Sequence, residues 1–318
     1  MIIPKIGEDE MKISIVIPCY SSENTIENVV DEVITTLTTR DVEYEIVLVN
    51  DCSPDNVWEK IVRLSKENSN VKGICFPKNF GQHSALMAGY RASTGDIVIS
   101  MDDDGQTPAD ELYKLIDRID EGYDVVYATY SNKQHNAFRN LGSKVNDWMC
   151  EVLLGKPKGL MVTSYFAMKR FVVNEICRYR NPYTYVIGLV FRTTKNIGTV
   201  PVTHRARTQG DSGYTITKLL GLWMNGFTAF SVKPLRVATM SGVIFAVLGF
   251  IYVIFILVNK LTNPDVPIGW SSTIAAVMIV GGVILCMLGM IGEYLGRMYI
   301  SINDAPQYVI KEQTDEKD

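Results

Sequence analysis

Short apolar runs and helical patterns alternate along the first third of the chain. Runs rich in β-branched residues predict strands at 13–17 (Ile-Ser-Ile-Val-Ile), 45–49 (Glu-Ile-Val-Leu-Val) and 96–100 (Asp-Ile-Val-Ile-Ser). Apolar residues at helical spacing predict helices over Glu23–Leu37, Asn56–Ser65 and Gln82–Arg91. Alternating strands and helices form right-handed β-α-β units, so the pattern predicts an α/β fold with a parallel sheet covered on both faces.

Polar and acidic residues follow each predicted strand. These segments are 18–21 (Pro-Cys-Tyr-Ser), 50–55 (Asn-Asp-Cys-Ser-Pro-Asp) and 101–105 (Met-Asp-Asp-Asp-Gly). In parallel sheets, ligands bind beyond the carboxyl ends of the strands. The sequence therefore predicts an acidic binding site where the three segments converge.

The acids after the 96–100 run are the strongest chemical signal. Side chains two apart along a strand point the same way, so we expect Asp102, Asp104 and Gln106 to face one site. By the same rule Asp103 turns away. Carboxylates held close together normally bind a cation, and hard oxygen ligands favour Mg²⁺ or Mn²⁺. A metal held by few protein oxygens leaves positions open for substrate phosphates.

Two other interpretations of this segment are open. Counted from Ser100, the acids at 102, 104 and 111 fall at positions 3, 5 and 12 of an EF-hand calcium loop. That match lacks an acid at position 1, and a strand precedes it where an EF-hand has a helix. Alternatively, the acids stabilise the N-terminus of a helix that starts near Pro108. Capping accounts for Asp110 and Glu111, but not for the three acids upstream.

Two long segments without charge lie near the C-terminus. Residues 237–259 and 266–292 each exceed the roughly 20 residues that cross a bilayer core as a helix. A buried helix pair in a soluble protein is the alternative, but helices this long and this apolar rarely fit such a domain. We therefore predict two spans, at about 237–259 and 268–291, within a transmembrane hairpin of residues 237–292.

Basic residues predict the orientation of this hairpin. The short connection contains Lys260, whereas the basic residues that flank the outer ends are Lys218, Lys233, Arg236, Arg297 and Lys311. The positive-inside rule then places both termini in the cytoplasm. We expect a multi-pass protein of the inner (cytoplasmic) membrane.

An apolar stripe precedes the first span. Its members, at helical spacing, are Ile216, Leu219, Leu220, Trp223, Phe227 and Phe230. A core helix would give the same stripe, but the aromatic residues and the adjoining span favour an interfacial helix in the headgroup region. Glycines at 281, 282, 289, 292 and 296 are typical of close helix contact, either within the hairpin or between the subunits of a homo-oligomer.

The overall charge and the cysteine spacing exclude two classes of site. The formal net charge of -4 argues against a nucleic-acid partner, because surfaces that track phosphates need a basic excess. The six cysteines never fall at C-x-x-C spacing, and the three histidines are far apart, so no zinc signature is present. We expect reduced thiols packed as small apolar groups.

Four motifs, in this order, resemble the family 2 glycosyltransferases of the GT-A fold. They are Ile17-Pro-Cys-Tyr20, Val49-Asn-Asp-Cys-Ser-Pro-Asp55, Lys78-Asn-Phe-Gly-Gln82 and residues 95–106. Taken with His204, Arg207, Gly210, Ser212, Tyr214 and the paired spans, the set is most similar to bacterial polyprenyl-phosphate glycosyltransferases, relatives of dolichyl-phosphate mannose synthase. The resemblance covers nearly the whole chain. It implies a GT-A (Rossmann-like) nucleotide-sugar domain, interfacial helices and a two-helix transmembrane hairpin.

The resemblance also implies roles for single residues. Asp102, Asp104 and Gln106 would hold Mg²⁺ or Mn²⁺ and, through it, the donor diphosphate. The expected catalytic residues are Asp102, Asp104 and Arg207. The residues expected to bind the nucleotide sugar are Pro18, Tyr20, Asp51, Lys78, Gly81, Asp102 and Asp103, with Asp51 on the base. The residues expected to meet the acceptor phosphate are Arg139, Arg207 and Ser212.

The implied reaction is an inverting transfer of one sugar to a polyprenyl (undecaprenyl) phosphate, which gives a lipid-linked monosaccharide for cell-envelope glycans. UDP-glucose, UDP-N-acetylglucosamine and UDP-galactose are all open as donors. The chain departs from many relatives at Ser21-Ser22, at Gly213 and in residues 162–167, which lack an Asp. A phosphate monoester, with a second pKa of about 6, is already an anionic nucleophile and needs no catalytic base.

The implied organisation has four parts. They are a cytoplasmic GT-A domain (1–210), a juxtamembrane amphipathic region (211–236), the hairpin (237–292) and a cytoplasmic tail (293–318). Two other functions stay open. A processive polysaccharide synthase of the same fold would carry a Gln-x-x-Arg-Trp motif, and no Trp in this chain follows an Arg. A non-catalytic membrane scaffold would have no need of the acidic triplet.

Overall fold

A computed structural model of the chain describes residues 11–40, 42–130, 151, 155–203, 205, 233–262 and 269–315. The chain divides into two compact units. The first comprises Met1–Leu219 and Pro306–Asp318, and the second comprises Leu220–Ala305. The second unit is therefore an insertion, and the chain returns to the first unit after it.

A sheet flanked by helices forms the first unit. Its strands are β1 (Lys12–Cys19), β2 (Glu43–Asn50), β3 (Val71–Cys75), β4 (Ile97–Ser100), β5 (Val125–Tyr130), β6 (Phe166–Lys169), β7 (Ile197–Val202) and β8 (Glu312–Gln313). Its helices are α1 (Ile26–Leu37), α2 (Val57–Glu67), α3 (Gln82–Ala92), α4 (Leu112–Asp120), α5 (Arg170–Cys177) and α6 (Val186–Thr193). The strand order is β7-β5-β6-β4-β1-β2-β3-β8.

The central strands β4, β1, β2 and β3 run parallel; the sequence predicts this for β1, β2 and β4, and β3 is an additional strand. Ile15 of β1 lies opposite both Ile46 of β2 and Ile99 of β4, which shows the register of the three strands. The outer strands add antiparallel pairs, since β6 pairs antiparallel with β4 and β5, and β8 with β3. The α/β fold is confirmed, with a mixed sheet in place of a purely parallel one.

Most of the predicted elements are present with small shifts. The strands predicted at 13–17, 45–49 and 96–100 correspond to β1, β2 and β4. Helix α1 begins at Ile26, later than predicted, because the N–H groups of Thr25 and Ile26 both donate to the Ser22 carbonyl in a turn. Helix α4 follows a 3-10 turn at Ala109–Glu111, close to the start predicted at Pro108.

Helix α3 packs directly on the centre of the sheet. Strand β1 is buried at every residue after Lys12, as expected for a strand covered on both faces. A Cβ added to Gly89 of α3 would lie 2.3 Å from Val16 Cγ1 of this strand. Only a glycine permits so close an approach, which fixes where α3 lies on the sheet.

A buried carboxylate, Glu45, joins several segments at the amino ends of the strands. Its side chain is 2% exposed, and it accepts hydrogen bonds from Ser14 Oγ at 2.7 Å and Thr94 Oγ1 at 3.0 Å. Lys72 Nζ lies 3.2 Å from its other oxygen. Burial alone would raise the pKa of Glu45, but hydrogen bonds from Thr94, Ser14 and Lys72 outweigh burial and lower the pKa from 4.5 to about 2.

Two long helices form the described part of the second unit. They are α7 (Lys233–Thr262), with 30 residues, and α8 (Trp270–Ile302), with 33. Large apolar side chains are exposed on both, such as Phe250 at 68% and Leu285 at 70%. Within the described residues, Ile279–Ile302 is long and apolar enough to cross a membrane, and Gly242–Tyr252 is a shorter apolar stretch.

The glycines of α8 do not make the contact within the hairpin that the sequence predicts. No described atom lies within 4 Å of a Cβ built on glycines 281, 282, 289, 292 or 296. The two helices meet instead at Gly242 of α7, where a Cβ would lie 2.9 Å from Met287 Cε of α8. The small residue at this contact lies on α7, and α8 contributes the long Met287 side chain. Contact between subunits stays a prediction.

We predict that Glu45 makes the fold less stable in acid. A carboxyl group with a lowered folded pKa stabilises the fold above its unfolded pKa of 4.5, and this contribution is lost as the pH falls towards about 2. At neutral pH it is on the order of 3 kcal/mol. Glu45→Gln should therefore lower the unfolding temperature at pH 7 in thermal scans of detergent-solubilised protein. The difference from wild type should shrink as the pH falls below about 4, and a difference that does not change with pH would contradict this role.

Candidate functional site

A cavity of about 600 Å³ opens where the parallel strands end. Its lining residues are Pro18, Cys19, Tyr20, Asp51, Asn79, Gly81, Gln82, Asp102, Asp103, Asp104 and Ser164. The three polar segments predicted to converge all contribute to this lining. The cavity lies where the rule for ligand binding in parallel sheets predicts it.

Some predicted site residues are absent from this lining. The Lys78 ammonium lies 4.9 Å from the centre of the Phe80 ring, and Gln106 donates its backbone N–H to Asp104 Oδ1 at 3.0 Å. The predicted acceptor residues Arg139, Arg207 and Ser212 and the interfacial stripe at 216–230 lie outside the described residues.

The Asp51 carboxylate holds the loop between β3 and α3. Its Oδ1 accepts the Phe80 N–H at 2.6 Å, and its Oδ2 accepts the Gly81 N–H at 2.8 Å. Gly81 has a φ of 90°, a conformation that favours glycine, and it directly precedes α3. Burial raises the pKa of Asp51, and the two N–H bonds oppose that rise. Asp51 thus fixes the wall of the cavity that carries Asn79 and Gly81.

Two residues at this edge have left-handed backbone although they are not glycine. Ser21 has a φ of 57° and Cys52 a φ of 51°. Such conformations cost on the order of 1 kcal/mol and persist where the surroundings fix them. Ser21 donates its N–H to Ser53 Oγ at 2.8 Å, and Ser53 donates its own N–H to Asn50 Oδ1 at 2.9 Å. The loops after β1 and β2 therefore brace each other.

Asp103 ties the acidic turn to the loop after β1. Its Oδ2 accepts the Tyr20 N–H at 2.9 Å, and its carbonyl oxygen accepts the Thr25 hydroxyl at 2.6 Å. The prediction that Asp103 turns away from the site is wrong. Strand β4 ends at Ser100, so strand alternation does not extend to the acids, and all three line the cavity. Burial raises the pKa of Asp103 to about 6.

Asp102 accepts hydrogen bonds on both carboxylate oxygens. Gln82 Nε2 donates to Oδ1 at 3.1 Å, and the Ser164 hydroxyl donates to Oδ2. Tyr130, the last residue of β5, is near both Asp102 and Asp104. Burial and the charges of these two acids raise the pKa of Tyr130 to about 12. The negative charges of Asp102 and Asp104 therefore disfavour ionisation of the Tyr130 phenol.

The chemistry of Asp102 and Asp104 fits a hard divalent cation. Each carboxylate oxygen has two lone pairs, so a hydrogen bond at each oxygen of Asp102 leaves acceptor capacity for a metal. Within the part of the chain that the structure describes, no group of three or more His, Cys, Asp or Glu could hold a metal ion. A cation held by Asp102 and Asp104 would therefore complete its coordination with water or substrate oxygens, as Mg²⁺ commonly does.

The structure disfavours the EF-hand interpretation of this turn. Strand β4, and not a helix, precedes the acids. Glu111, which would be the last calcium ligand, accepts the Thr203 N–H at 3.2 Å and pairs with Lys114 at 2.6 Å. Its carboxylate is used to anchor the segment after β7.

Several side chains at the site were not assigned a role from sequence. Asn79 and Gln82 lie inside the 78–82 motif, so their polar character was an available signal. Asn79 Nδ2 donates to the Asp51 carbonyl at 3.3 Å. Ser164 lies in the 162–167 segment, so the resemblance marks its position but not its hydrogen bond to Asp102. Tyr130 has no local signal, because β5 is placed by its pairing with β6, which in turn pairs with β4.

Two segments of the chain match known protein families. Residues 14–177 match the family described as Glycosyl transferase family 2. The chain belongs to this family. Residues 233–298 match the domain described as the GtrB C-terminal hairpin, a range that includes most of α7 and α8. This family 2 enzyme is a glycosyltransferase, and the hairpin match together with the apolar Ile279–Ile302 helix indicates membrane association.

Solved structures of glucosyl-3-phosphoglycerate synthase from Mycobacterium tuberculosis share the fold of this glycosyltransferase. The complex with Mn²⁺ and UDP-glucose is 19% identical in sequence to this chain. The aligned region covers 69% of this chain and 77% of the synthase chain, with a TM-score of 0.53. For another structure of the synthase the sequence identity is also 19%. The aligned region covers 69% of this chain and 81% of the synthase chain, with a TM-score of 0.52. The likeness confirms the predicted GT-A-like fold.

We predict that Asp51→Asn loosens the loop between β3 and α3. An amide has one acceptor oxygen, so its NH₂ group would face the Phe80 or Gly81 N–H and leave one donor unsatisfied. The variant should unfold several degrees lower than wild type, and the amides of Phe80 and Gly81 should exchange faster with deuterium. Asp117→Asn is the matched control, because Asp117 is exposed and pairs with Arg40 far from this loop. Equal exchange in Asp51→Asn and wild type would contradict the assigned role.

Proposed function

We propose that this glycosyltransferase moves one hexose or N-acetylhexosamine from a UDP-sugar to a polyprenyl phosphate, such as undecaprenyl phosphate. The transfer takes place at the cytoplasmic face of the membrane and inverts the anomeric centre. The observation that carries this proposal is the pairing, in one chain, of an acid-lined GT-A cavity with an apolar C-terminal helix in a GtrB-type hairpin. A lipid acceptor explains why a nucleotide-sugar site is joined to a membrane segment.

The donor is proposed to occupy the cavity lined by Pro18, Tyr20, Asp51 and Gly81. Tyr20 is 51% exposed, which leaves its ring accessible to a ligand. Asp51 would bond the base, while Lys78 lies on the same loop and adds positive charge near the phosphates. The synthase from M. tuberculosis, of similar fold, was solved with UDP-glucose and Mn²⁺, which supports a uridine nucleotide and a divalent metal here.

Asp102 and Asp104 are the proposed metal ligands, with Gln106 assisting. The bound Mg²⁺ or Mn²⁺ would neutralise negative charge on the leaving diphosphate. Gln82 and Ser164 hold the two oxygens of Asp102 and so limit its rotation. Asp103 contributes by holding Tyr20 in place through the backbone N–H.

The acceptor phosphate is proposed to meet Arg207 and Ser212, with Arg139 also contributing. Arg205, two residues before Arg207, donates to Glu32 Oε2 at 2.8 Å and to Asp110 Oδ1 at 2.7 Å. These pairs anchor the chain to α1 and to the 3-10 turn just before the proposed acceptor residues. An anionic phosphate needs positioning and charge compensation, and it needs no general base.

The membrane topology is proposed to be a hairpin with both ends in the cytoplasm. The chain leaves the catalytic unit before α7 and returns to it at Pro306 after α8. If that unit lies on one side of the bilayer, the number of crossings between these points must be even. Two crossings, an interfacial segment at 211–236 and a cytoplasmic C-terminal tail satisfy this condition.

Asp104→Ala should abolish formation of the lipid-linked sugar. Loss of a metal ligand at the diphosphate is expected to reduce the rate at least about 100-fold. The measurement uses purified protein in detergent, undecaprenyl phosphate, Mn²⁺ and a panel of radiolabelled UDP-sugars, followed by extraction of labelled lipid. Asp117→Ala removes an exposed acid that does not line the cavity, so this variant should keep wild-type activity.

Two outcomes of this assay would contradict the proposal. Undiminished product with Asp104→Ala would rule out the metal role of that residue. A growing glycan formed without added lipid would identify a processive synthase of the same fold.

Reporter fusions should place the connection between the two long helices outside the cytoplasm. We predict that alkaline phosphatase fused after Asp265 is active, since this enzyme needs the oxidising periplasm to form its disulfides. Green fluorescent protein fused to the C-terminus should fluoresce, because it folds in the cytoplasm. An active phosphatase at the C-terminus would instead require an odd number of crossings.

A further inference from the structure

The end of the chain adds a strand to the edge of the catalytic sheet. Strand β8 pairs antiparallel with β3, with Glu312 opposite Cys75. Lys311 donates its N–H to the Cys75 carbonyl at 2.8 Å, and Thr314 donates its N–H to the Gly73 carbonyl at 3.0 Å. Thr314 Oγ1 accepts the Gly73 N–H at 2.8 Å. The tail of residues 306–315 is therefore part of the catalytic unit.

Side chains hold this tail from several directions. Trp58 Nε1 donates to Glu312 Oε2 at 3.0 Å. Gln307 is 6% exposed, and its amide accepts from Arg91 Nη1 at 2.8 Å and donates to the Asn181 carbonyl at 3.0 Å. A buried amide with partners on both of its polar atoms fixes the tail in one register.

A line of aromatic contacts runs from the tail towards the cavity. The Tyr308 ring stacks on Phe76, with centroids 5.3 Å apart and an angle of 14° between the planes. The Arg91 guanidinium lies 5.3 Å from the centre of the Tyr308 ring. Phe76 is 1% exposed and meets Phe80 edge to face at 5.6 Å. Phe80 in turn donates its N–H to Asp51 Oδ1 at 2.6 Å.

We propose that Tyr308 is a positioning residue for the donor site. Its ring presses on Phe76 and, through Phe80, keeps the loop of residues 76–81 in the place where Asp51 can bind both amides. The tail thus does more than cover the edge of the sheet. Protection of the sheet edge requires only the backbone pairing of β8 with β3. The stacked Tyr308 ring contacts Phe76, the first residue of the loop of residues 76–81.

The two ends of the tail allow this inference to be tested against a simple stabilising role. Thr314 bonds Gly73, in the middle of β3, and Tyr308 contacts Phe76, which directly follows β3. Tyr308→Ala removes the stacked ring, and Tyr308→Phe keeps it. Thr314→Val removes a tail hydrogen bond at the other end and leaves the ring in place.

The experiment is hydrogen exchange of the full-length protein in detergent, without nucleotide, read by mass spectrometry. Tyr308→Ala should raise exchange in peptides that contain Phe80 and Gly81 by about tenfold, because the loop opens more often. Tyr308→Phe should stay within about twofold of wild type. Thr314→Val should raise exchange at Gly73 and leave Phe80 and Gly81 unchanged. Asp51→Asn serves as the positive control for an opened loop.

Three results would overturn the proposal. They are unchanged exchange at Phe80 and Gly81 in Tyr308→Ala, failure of Tyr308→Phe to restore the wild-type rate, and an equal rise at Gly73 and Phe80 in Tyr308→Ala. The last result would mean that the ring stabilises the whole edge of the sheet and does not position the loop.

The consequence for donor binding rests on the proposed function. With UDP and Mn²⁺ as the probe, Tyr308→Ala should weaken binding by about tenfold, while Tyr308→Phe and Thr314→Val bind as wild type does. If wild-type protein binds no UDP, the proposed donor is wrong, and the exchange experiment still decides the role of Tyr308. If wild type binds UDP and Tyr308→Ala binds it equally well, the loop is not positioned by the tail for donor binding.

Discussion

Backbone N–H groups that donate to carboxylates hold together the edge of the sheet that carries the candidate site. Several acids meet at the carboxyl ends of the parallel strands, and like charges at such distances repel unless they are compensated. Asp103 accepts a hydrogen bond from the Tyr20 N–H, and Asp55 accepts one from the Glu23 N–H at 2.8 Å. Asp51 accepts hydrogen bonds from two N–H groups of the loop between β3 and α3. Each bond joins loops that follow different strands. Asp51 and Asp103, which line the cavity, therefore also fix its walls.

Periodicity along the chain predicts the centre of the sheet but not its edges. Strands β1, β2 and β4 are buried apolar runs, and such runs are visible in sequence because both faces are covered. Strand β3 (Val71–Cys75) includes a lysine and a glycine among its five residues, which weakens the same signal. Strand β8 has two polar residues, Glu312 and Gln313, and no local property distinguishes it from a solvated tail. Its place depends on pairing with a strand more than two hundred residues earlier, which a local pattern does not encode.

The same distinction applies to the site. The acids at 51 and 102–104 follow recognisable strands, so the sheet rule alone brings them together. The rule of alternating side chains does not apply to Asp103, because β4 ends at Ser100. Ser164 and Tyr130 become neighbours of the acids only because β6 and β5 follow β4 in the sheet order. That order is set by long-range packing, and no spacing in the sequence reports it.

The hydroxyl of Ser164 beside Asp102 bears on the kind of acceptor that the site can accept. A sugar hydroxyl must lose a proton as it attacks, and a carboxylate placed near the donor would serve as its base. A phosphate is already anionic at neutral pH, so it needs no carboxylate to act as its base. Ser164 donates a hydrogen bond to Asp102 and adds no charge. The absence of an acid in segment 162–167 is therefore compatible with the anionic acceptor of the proposed function, which needs no base.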